Sequence, residues 1–515
     1  MEQARLPAIL ESAAPNQFAP IPGTPDREET LLKIGFVSLG CPKNLVDTEV
    51  MMGQLVSSGH ELTPQPAEAD VIVVNTCSFI DPAKQESVDT ILEMAEYKRS
   101  GKALRLVVAG CLVERYRDEI RKNMPEVDAV LGTNELDQIT ALCEGLEPKQ
   151  NSLEPYLYHD LTARVFTTPK HSAYIKIAEG CDHPCTFCVI PQYRGQFRSR
   201  RFESVINEAT RMFAMGVREI NLIGQDTTCY GEDLGLKDGL AQLLARLAGI
   251  PTEQPKWVRF LYAYPNRVTQ RLLDTIAEHE ALVKYIDMPL QHASGSVLKR
   301  MKRGANGDIF LKLLEKVRGT IPGVAIRTSM IVGFPGETEA DFEELCGFVK
   351  AAKFDRLGVF SYSDEETSGS FHLDDKLDQR VIYNRKRRLM SIQRRISKVR
   401  NKQLVGQELP VLVEGPSRET HLLWEGRLST QAPEIDGFCY INDFGPGEPR
   451  AGEMRRIRIT EAHDYDLVGE LIDFPEQFHS AKGTSPFQIL STNPASHASI
   501  PRSHPAARIS SNPHA

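Results

Sequence analysis

The chain has 515 residues, 41% hydrophobic and 25% charged, with a net charge of −8 and a pI near 6.0. That length exceeds one core and predicts three or four domains of about 150 residues, while the acidic balance argues against a protein whose main work is neutralising phosphates. No apolar run reaches the roughly 18 to 20 residues that cross a bilayer, and the N-terminal MEQARLPAILESAAPNQFAP lacks the layout of a signal peptide, so a cytoplasmic protein is expected.

Residues 1–30 and 475–515 are rich in Pro, Ser, Ala and His without periodicity, and are expected to be disordered tails. Between residues 31 and 148, short apolar runs alternate with helix-like stretches: LLKIGFVSLG (31–40), ADVIVVNTC (69–77), LRLVVAGC (104–111) and VDAVLG (127–132). This is the pattern of an α/β domain with a doubly wound parallel sheet. Cys41, Cys77 and Cys111 stand at or just beyond the carboxyl ends of three of these strands, 36 and 34 residues apart, about one βα unit. Carboxyl ends of an open parallel sheet line a common crevice, so the three thiols are expected to converge on one site. The competing account makes each a small buried residue at a strand end.

Residues 167–402 repeat the pattern six times: AYIKIAEG (173–180), VREINLIGQD (217–226), WVRFLYAYP (257–265), VKYIDMPLQH (283–292), AIRTSMIVGFPG (325–336) and LGVFSYSD (357–364). Six units fall two short of a closed eight-fold barrel and predict an open partial (β/α)6 barrel. Directly after its first strand comes AEGCDHPCTFCVIP, which sets Cys181, Cys185 and Cys188 in a C-x3-C-x2-C array. Thiolates select zinc, copper(I) or iron–sulfur clusters. A structural zinc site wants four ligands, commonly from two paired motifs. No second C-x2-C is present, and His183 sits where it would strain a shared tetrahedron. A cubane held by three cysteines leaves one iron open, and the array lies where βα barrels build active sites. A zinc knuckle or buried thiols is the plainer alternative.

RVIYNRKRRLMSIQRRISKVRNK (380–402) is a basic connector without an acidic residue, expected as a helix packed along the barrel before a polyanion-binding one. Residues 404–473 carry short strands between Gly and Pro turns and predict a small antiparallel β-barrel. With 13 acidic and 6 basic residues over 404–470, it would repel RNA and attract a basic partner. Cys143, Cys346 and Cys439 are expected in the core, while Cys229, after GQDTT near the expected active face, stays unassigned.

The C-x3-C-x2-C array with Phe187 before its last cysteine, on a partial barrel, resembles the radical S-adenosylmethionine superfamily. Joined to a three-cysteine N-terminal domain and a TRAM-like C-terminal barrel, it resembles the methylthiotransferases over residues 31–473. GCPKNLVDTE, YAYPNRVT, MPLQHAS, LKRMKR, FSYSDEE, APEIDG and HDYDLVGE are similar to the RimO branch, which modifies an aspartate of protein twelve of the small ribosomal subunit. Departures fall at Thr367 and in the long turn FGPGEPRAGE. The resemblance implies two [4Fe-4S] clusters, on Cys41, Cys77 and Cys111 and on Cys181, Cys185 and Cys188, with S-adenosylmethionine as methyl donor and radical source. It further implies that a carbon radical takes the aspartate β-hydrogen and that the carbon then collects methylthio from the N-terminal cluster, which would require both clusters at one cavity.

No catalytic residue beyond the cluster ligands is implied. Phe187, Arg327 and Gly333 are cofactor-binding candidates: Arg327 toward the methionyl carboxylate, and Gly333, in GFPGE, for close backbone approach. Barrel packing against an acidic neighbour competes for Arg327, and a plain tight turn for Gly333. The implied partners are the basic ribosomal protein, on or off the ribosome, and an electron donor, with no membrane and a monomeric chain. Rival readings are a tRNA adenosine methylthiotransferase and a zinc-stabilised protein-binding module.

Overall fold

The computed structural model describes residues 31–147, 156–420, 422–475 and 488–490. The described chain forms two compact units, one running to Thr167 and including Gln192–Arg194, the other holding the rest of the chain from Thr168 through the C-terminal barrel. Among the described residues, no helix is long and apolar enough to cross a membrane.

The N-terminal unit runs β1 (Lys33–Ser38), α1 (Pro42–Ser57), β2 (Glu61–Thr63), β3 (Val71–Thr76), α2 (Asp81–Arg99), β4 (Arg105–Gly110), α3 (Cys111–Asn123), β5 (Ala129–Leu131), α4 (Ile139–Glu144) and β6 (Arg164–Phe166). Its five-stranded sheet is parallel throughout, in the order β2-β1-β3-β4-β5. Alternate residues of β3 and β4 feed two cores: Ile72, Val74, Leu106 and Val108 pack with Ile91, Met94 and Ile120, while Val71, Val73, Val107 and Ala109 pack with Met51, Leu55, Ile139 and Leu142. Helices therefore cover both faces, and the strands read as continuous apolar runs. Only β2 departs from the expected four strands. It is a three-residue edge strand with Glu61 exposed, too short and polar to register as an apolar run.

The second unit runs β7 (Ser172–Lys176), β8 (Ala178–Glu179), α5 (Ile190–Arg194, whose last residues group with the first unit), β9 (Arg198–Ser199), α6 (Phe202–Ala214), β10 (Glu219–Ile223), α7 (Gly239–Ala248), β11 (Trp257–Phe260), α8 (Gln270–Glu278), β12 (Tyr285–Asp287), α9 (Gly295–Arg300), α10 (Gly307–Thr320), β13 (Ala325–Val332), α11 (Glu339–Ala352), β14 (Arg356–Ser361) and α12 (Gln379–Lys402). Six parallel strands stand in the order β7-β10-β11 and β12-β13-β14, the two triplets joined by a bridge between Val258 and Leu282. This is the open partial barrel. The first expected strand breaks at Ile177: β8 turns aside to pair antiparallel with β9, and that turn delivers the cysteine array.

The basic connector is α12, whose Ile382, Arg385, Leu389, Gln393 and Ser397 are buried at helical spacing along one stripe. Arg385 reaches Glu337 at 3.0 Å and Arg400 reaches Asp355 at 2.6 Å.

Five strands close the C-terminal barrel: β15 (Glu408–Pro416), β16 (Trp424–Leu428), β17 (Cys439–Asp443), β18 (Met454–Ala462) and β19 (Leu467–Leu471), in the order β15-β16-β17-β19-β18. The expectation of an antiparallel barrel is corrected at one seam, because β17 and β19 run parallel. A ring of five strands cannot alternate direction all the way round, so one parallel pair is forced. A further correction concerns the tail expected at 475–515: residues Gln488–Leu490 form β20, which pairs antiparallel with β6. The remainder of both expected tails, apart from residue 475, lies outside the described residues.

The barrel is tied to β10 by buried charge. Arg427 donates to Glu219 at 2.5 Å and to Glu414 at 2.6 Å, Arg259 donates to Glu219 at 3.0 Å, and His171 pairs with Glu414 at 2.8 Å. Burial pushes the Glu219 carboxyl up, but Arg427 and Arg259 outweigh it and hold it at about 2, below the ordinary 4.5. The lowered value means that folding releases the proton more readily, so this stabilisation is present above pH 4.5 and is lost as the pH falls toward 2. Glu219→Gln, which leaves two guanidinium groups short of their anion, is expected to cost about 3 to 5 kcal/mol at pH 7. Denaturant melts across pH check this, since the wild type should lose its advantage over the variant on the acid side.

Candidate functional site

In the N-terminal unit, Cys41 stands at the N-cap of α1, Cys77 follows β3, and Cys111 opens α3. They lie at the carboxyl ends of β1, β3 and β4, beside the point where the strand order reverses, which is where open α/β sheets form their crevice. Asn44 ties two of these ends together by donating to the carbonyls of Leu39 at 2.7 Å and Thr76 at 3.1 Å. Gly40 has φ +90°, and a Cβ there would lie 3.0 Å from Sγ of Cys77. Only glycine lets the chain before Cys41 pass this close to the second thiol. Gly110, φ +97°, repeats the device before Cys111.

The three thiols act on one another. Burial, and then the charges of Cys41 and Cys111, push Cys77 up to about 12. Burial raises Cys111 against the pull of Arg194. Cys41 is also pushed up by burial, but Lys43, Arg194 and the backbone N–H groups of Asn44 and Lys43 outweigh it and leave it below the ordinary thiol value. Arg194, 4% exposed, donates through Nη2 to Cys111 Sγ and to Asn44 Oδ1, both at 3.2 Å, and through Nη1 to Asp47 at 2.7 Å.

The second trio is half-buried on the loop after β8. Its backbone is pinned by Cys181 N–H to the Gly195 carbonyl, Cys188 N–H to the Cys185 carbonyl, and Thr186 to the carbonyls of Met301 and Arg300. Burial, then the charges of its neighbours, raise Cys181 to about 11 and Cys188 to about 12. Phe187 stands half-buried in the turn between Cys185 and Cys188.

Around this loop lie groups that sequence reasoning did not assign. His183 Nε2 is 2.6 Å from Asp226 Oδ2, which also accepts from Cys229 Sγ at 3.0 Å. The His183 ring stacks on Tyr264, centroids 3.8 Å apart and planes at 10°. Arg303 lies 4.5 Å from the Tyr264 centroid and donates to Cys185 Sγ at 3.6 Å and to the Pro289 carbonyl at 2.7 Å. Asp226, Tyr264 and Pro289 follow β10, β11 and β12, on the strand ends where βα barrels place their chemistry. The available signal was positional: QD stands just past a strand, as GC does in the first unit.

Thiols of a tetrahedral zinc site lie about 3.8 Å apart. Among the described residues only His183, Asp226 and Cys229 bring three ligand atoms within 4.8 Å of one another. Each cysteine trio presents an all-sulfur donor set, of the kind that holds zinc, copper(I) or an iron–sulfur core. Cys143, Cys346 and Cys439 are buried, as expected of core residues.

Arg327 on β13 donates to Asp287 at 2.7 Å across the register pair with β12, the packing expected as its alternative role. Gly333 has φ +83°, and its N–H goes to Glu337. A Cβ at Gly333 would meet Ile382 Cγ1 at 2.4 Å, so its glycine is required where β13 passes under α12.

Family models match the chain over residues 33–132 (Uncharacterized protein family UPF0004), 175–349 (Radical SAM superfamily) and 405–472 (TRAM domain). The chain is 76% identical over 441 residues to the ribosomal protein uS12 methylthiotransferase RimO of Solibacter usitatus, covering 86% of this chain and 95% of the relative. Identity to the proteins of the same name is 58% over 488 residues in Koribacter versatilis, covering 85% and 96%, and 48% over 455 residues in Myxococcus xanthus, covering 87% and 94%.

Gly333→Ala is expected to destabilise the second unit by about 1 to 3 kcal/mol, with partial recovery when Ile382→Ala is added. Thermal melts of the single and double variants decide this. Unchanged stability in the single variant would mean that the glycine serves something other than packing.

Proposed function

Because the chain belongs to the ribosomal protein uS12 methylthiotransferase RimO family, we propose that it places a methylthio group on the β-carbon of an aspartate of uS12, with Cys181, Cys185 and Cys188 holding one [4Fe-4S] cluster and Cys41, Cys77 and Cys111 a second. The observation that carries this reading is the arrival of Cys41, Cys77 and Cys111 at the carboxyl ends of the neighbouring strands β1, β3 and β4, where a Cβ at Gly40 would lie 3.0 Å from Cys77 Sγ and Arg194 donates to both Cys111 Sγ and Asn44. A β-C–H bond is too weakly acidic for a tuned side-chain base. When bound, the clusters and S-adenosylmethionine supply the one-electron cleavage, the hydrogen-abstracting radical and the transferred sulfur and methyl.

The chain's residues do the holding. Three thiolates per trio would hold a four-iron core and would leave one iron without a protein ligand at each site. Arg194 and Lys43 offset the charge that three crowded thiolates bring to the first trio. Asp226 fixes the His183 ring on Tyr264, which gives the second trio an aromatic neighbour held in one orientation. The C-terminal barrel, with 13 acidic and 6 basic residues, offers a negative face to a basic ribosomal protein. Glu219 on β10 ties that barrel to the partial barrel of strands through Arg427 and Arg259. An external electron donor and a cytoplasmic, monomeric enzyme complete the proposal.

The test is anaerobic incubation with reductant, S-adenosylmethionine and either isolated uS12 or an anticodon stem-loop RNA, followed by mass analysis. A methylthio group on one aspartate of uS12 is expected, with the RNA unmodified. Cys77→Ala is expected to bring transfer to background while formation of 5'-deoxyadenosine continues. Modification of the RNA alone, or full transfer by Cys77→Ala, would contradict the assignment.

A further inference from the structure

Each cysteine trio touches one buried arginine, and neither arginine was singled out by the sequence. Arg303 is 7% exposed and donates to Cys185 Sγ at 3.6 Å. Among the described residues its other partners are the Pro289 carbonyl oxygen and the Tyr264 ring. Among the described residues no carboxylate lies within ion-pairing distance of it, whereas Arg194, Arg200, Arg259, Arg327, Arg385 and Arg427 each have one. A buried guanidinium without an anion is costly, and the anion within its reach is a thiolate. Arg194 follows Cys188 by six residues in the chain, yet it groups with the N-terminal unit and donates to Cys111 Sγ at 3.2 Å.

Resting on the reading that both trios hold iron–sulfur clusters, we propose that Arg303 and Arg194 are positioning residues that each aim a charge-assisted N–H at one ligand sulfur, Cys185 in one trio and Cys111 in the other, and so set the electron affinity of the two sites separately. Hydrogen bonds to cluster sulfurs and nearby charge are among the determinants of cluster potential, and charge-assisted bonds are the strong ones. One-electron reduction adds one negative charge to a cluster without making or breaking a bond, with the electron coming from an external low-potential reductant. A fixed positive charge and an N–H on the sulfur both favour the reduced form. The two arginines are not equivalent. Arg303 brings an uncompensated charge, while Arg194 shares its charge with Asp47 and contributes mainly through direction. Replacement by lysine keeps charge and loses the planar fork, so it separates the two contributions: Arg303→Lys should retain more of its site's potential than Arg194→Lys retains of its own.

The experiment is a redox titration of full-length, anaerobically reconstituted protein followed by electron paramagnetic resonance, with iron and sulfide content measured on every sample. Cys77→Ala and Cys185→Ala backgrounds assign the signals. Arg303→Met is expected to lower the reduced-to-oxidised ratio of the Cys181–Cys185–Cys188 site by about tenfold at fixed potential, about 59 mV for one electron, leaving the other site unmoved. Arg194→Met is expected to do the reverse. Because Arg194→Met strands Asp47, an Arg194→Gln, Asp47→Asn double variant accompanies it and is expected to shift the same site. Fully loaded variants with unmoved potentials, or both sites shifting together in either variant, overturn the proposal. Wild-type protein without iron–sulfur signals overturns instead the reading on which it rests.

Discussion

Three thiols drawn out of water beside one another repel as they ionise, and each is held toward its neutral form by burial. Cys77 shows the cost most openly, pushed up to about 12 by burial and by the charges of Cys41 and Cys111. Such a group is stable as a ligand set only if cations and directed N–H groups accompany it or if a positive core draws the charge inward. In the N-terminal unit the chain supplies Arg194, Lys43 and two helix starts around the trio. At the second array it supplies Arg303, with Tyr264 lying against the guanidinium.

The same requirement organises the backbone. Strand ends in a parallel sheet carry successive segments to one edge, so three cysteines about one βα unit apart arrive together without a contiguous motif. Glycine before Cys41 and before Cys111 removes the Cβ that would hold the turns apart. In the second unit the chain leaves the barrel at Ile177, forms the short β8–β9 pair and delivers C-x3-C-x2-C as one loop. One site is thus built from distant segments and the other from a single stretch, although both present three thiols.

That contrast governs what could be read from the residues. The apolar runs announced β1, β3, β4 and β5 and all six strands of the partial barrel, because buried parallel strands are apolar on both faces. The placement of three cysteines at neighbouring strand ends, and of three more on one loop, was legible from spacing. What escaped were pairings set by tertiary contact: His183 with Asp226, 43 residues apart, leaves no periodic trace, and the acidic neighbour weighed for Arg327 could not be named as Asp287, 40 residues away. Arg194 was hidden for another reason, since its nearest cysteine in the chain is Cys188 but its sulfur partner is Cys111. The parallel seam of the C-terminal barrel follows from strand parity, which becomes visible only once closure is known.

The central claim is that the two trios are separate cluster sites, each with its own set of three sulfur ligands. Iron and acid-labile sulfide assay with Mössbauer spectroscopy, on anaerobically reconstituted protein with Cys41, Cys77 and Cys111 all replaced by alanine and on the complementary Cys181, Cys185 and Cys188 variant, tests it most directly. Each triple variant should keep one [4Fe-4S] cluster, about half of the wild-type iron and sulfide. Zinc without sulfide in the wild type, or loss of all iron from either triple variant with its fold intact, would contradict the account.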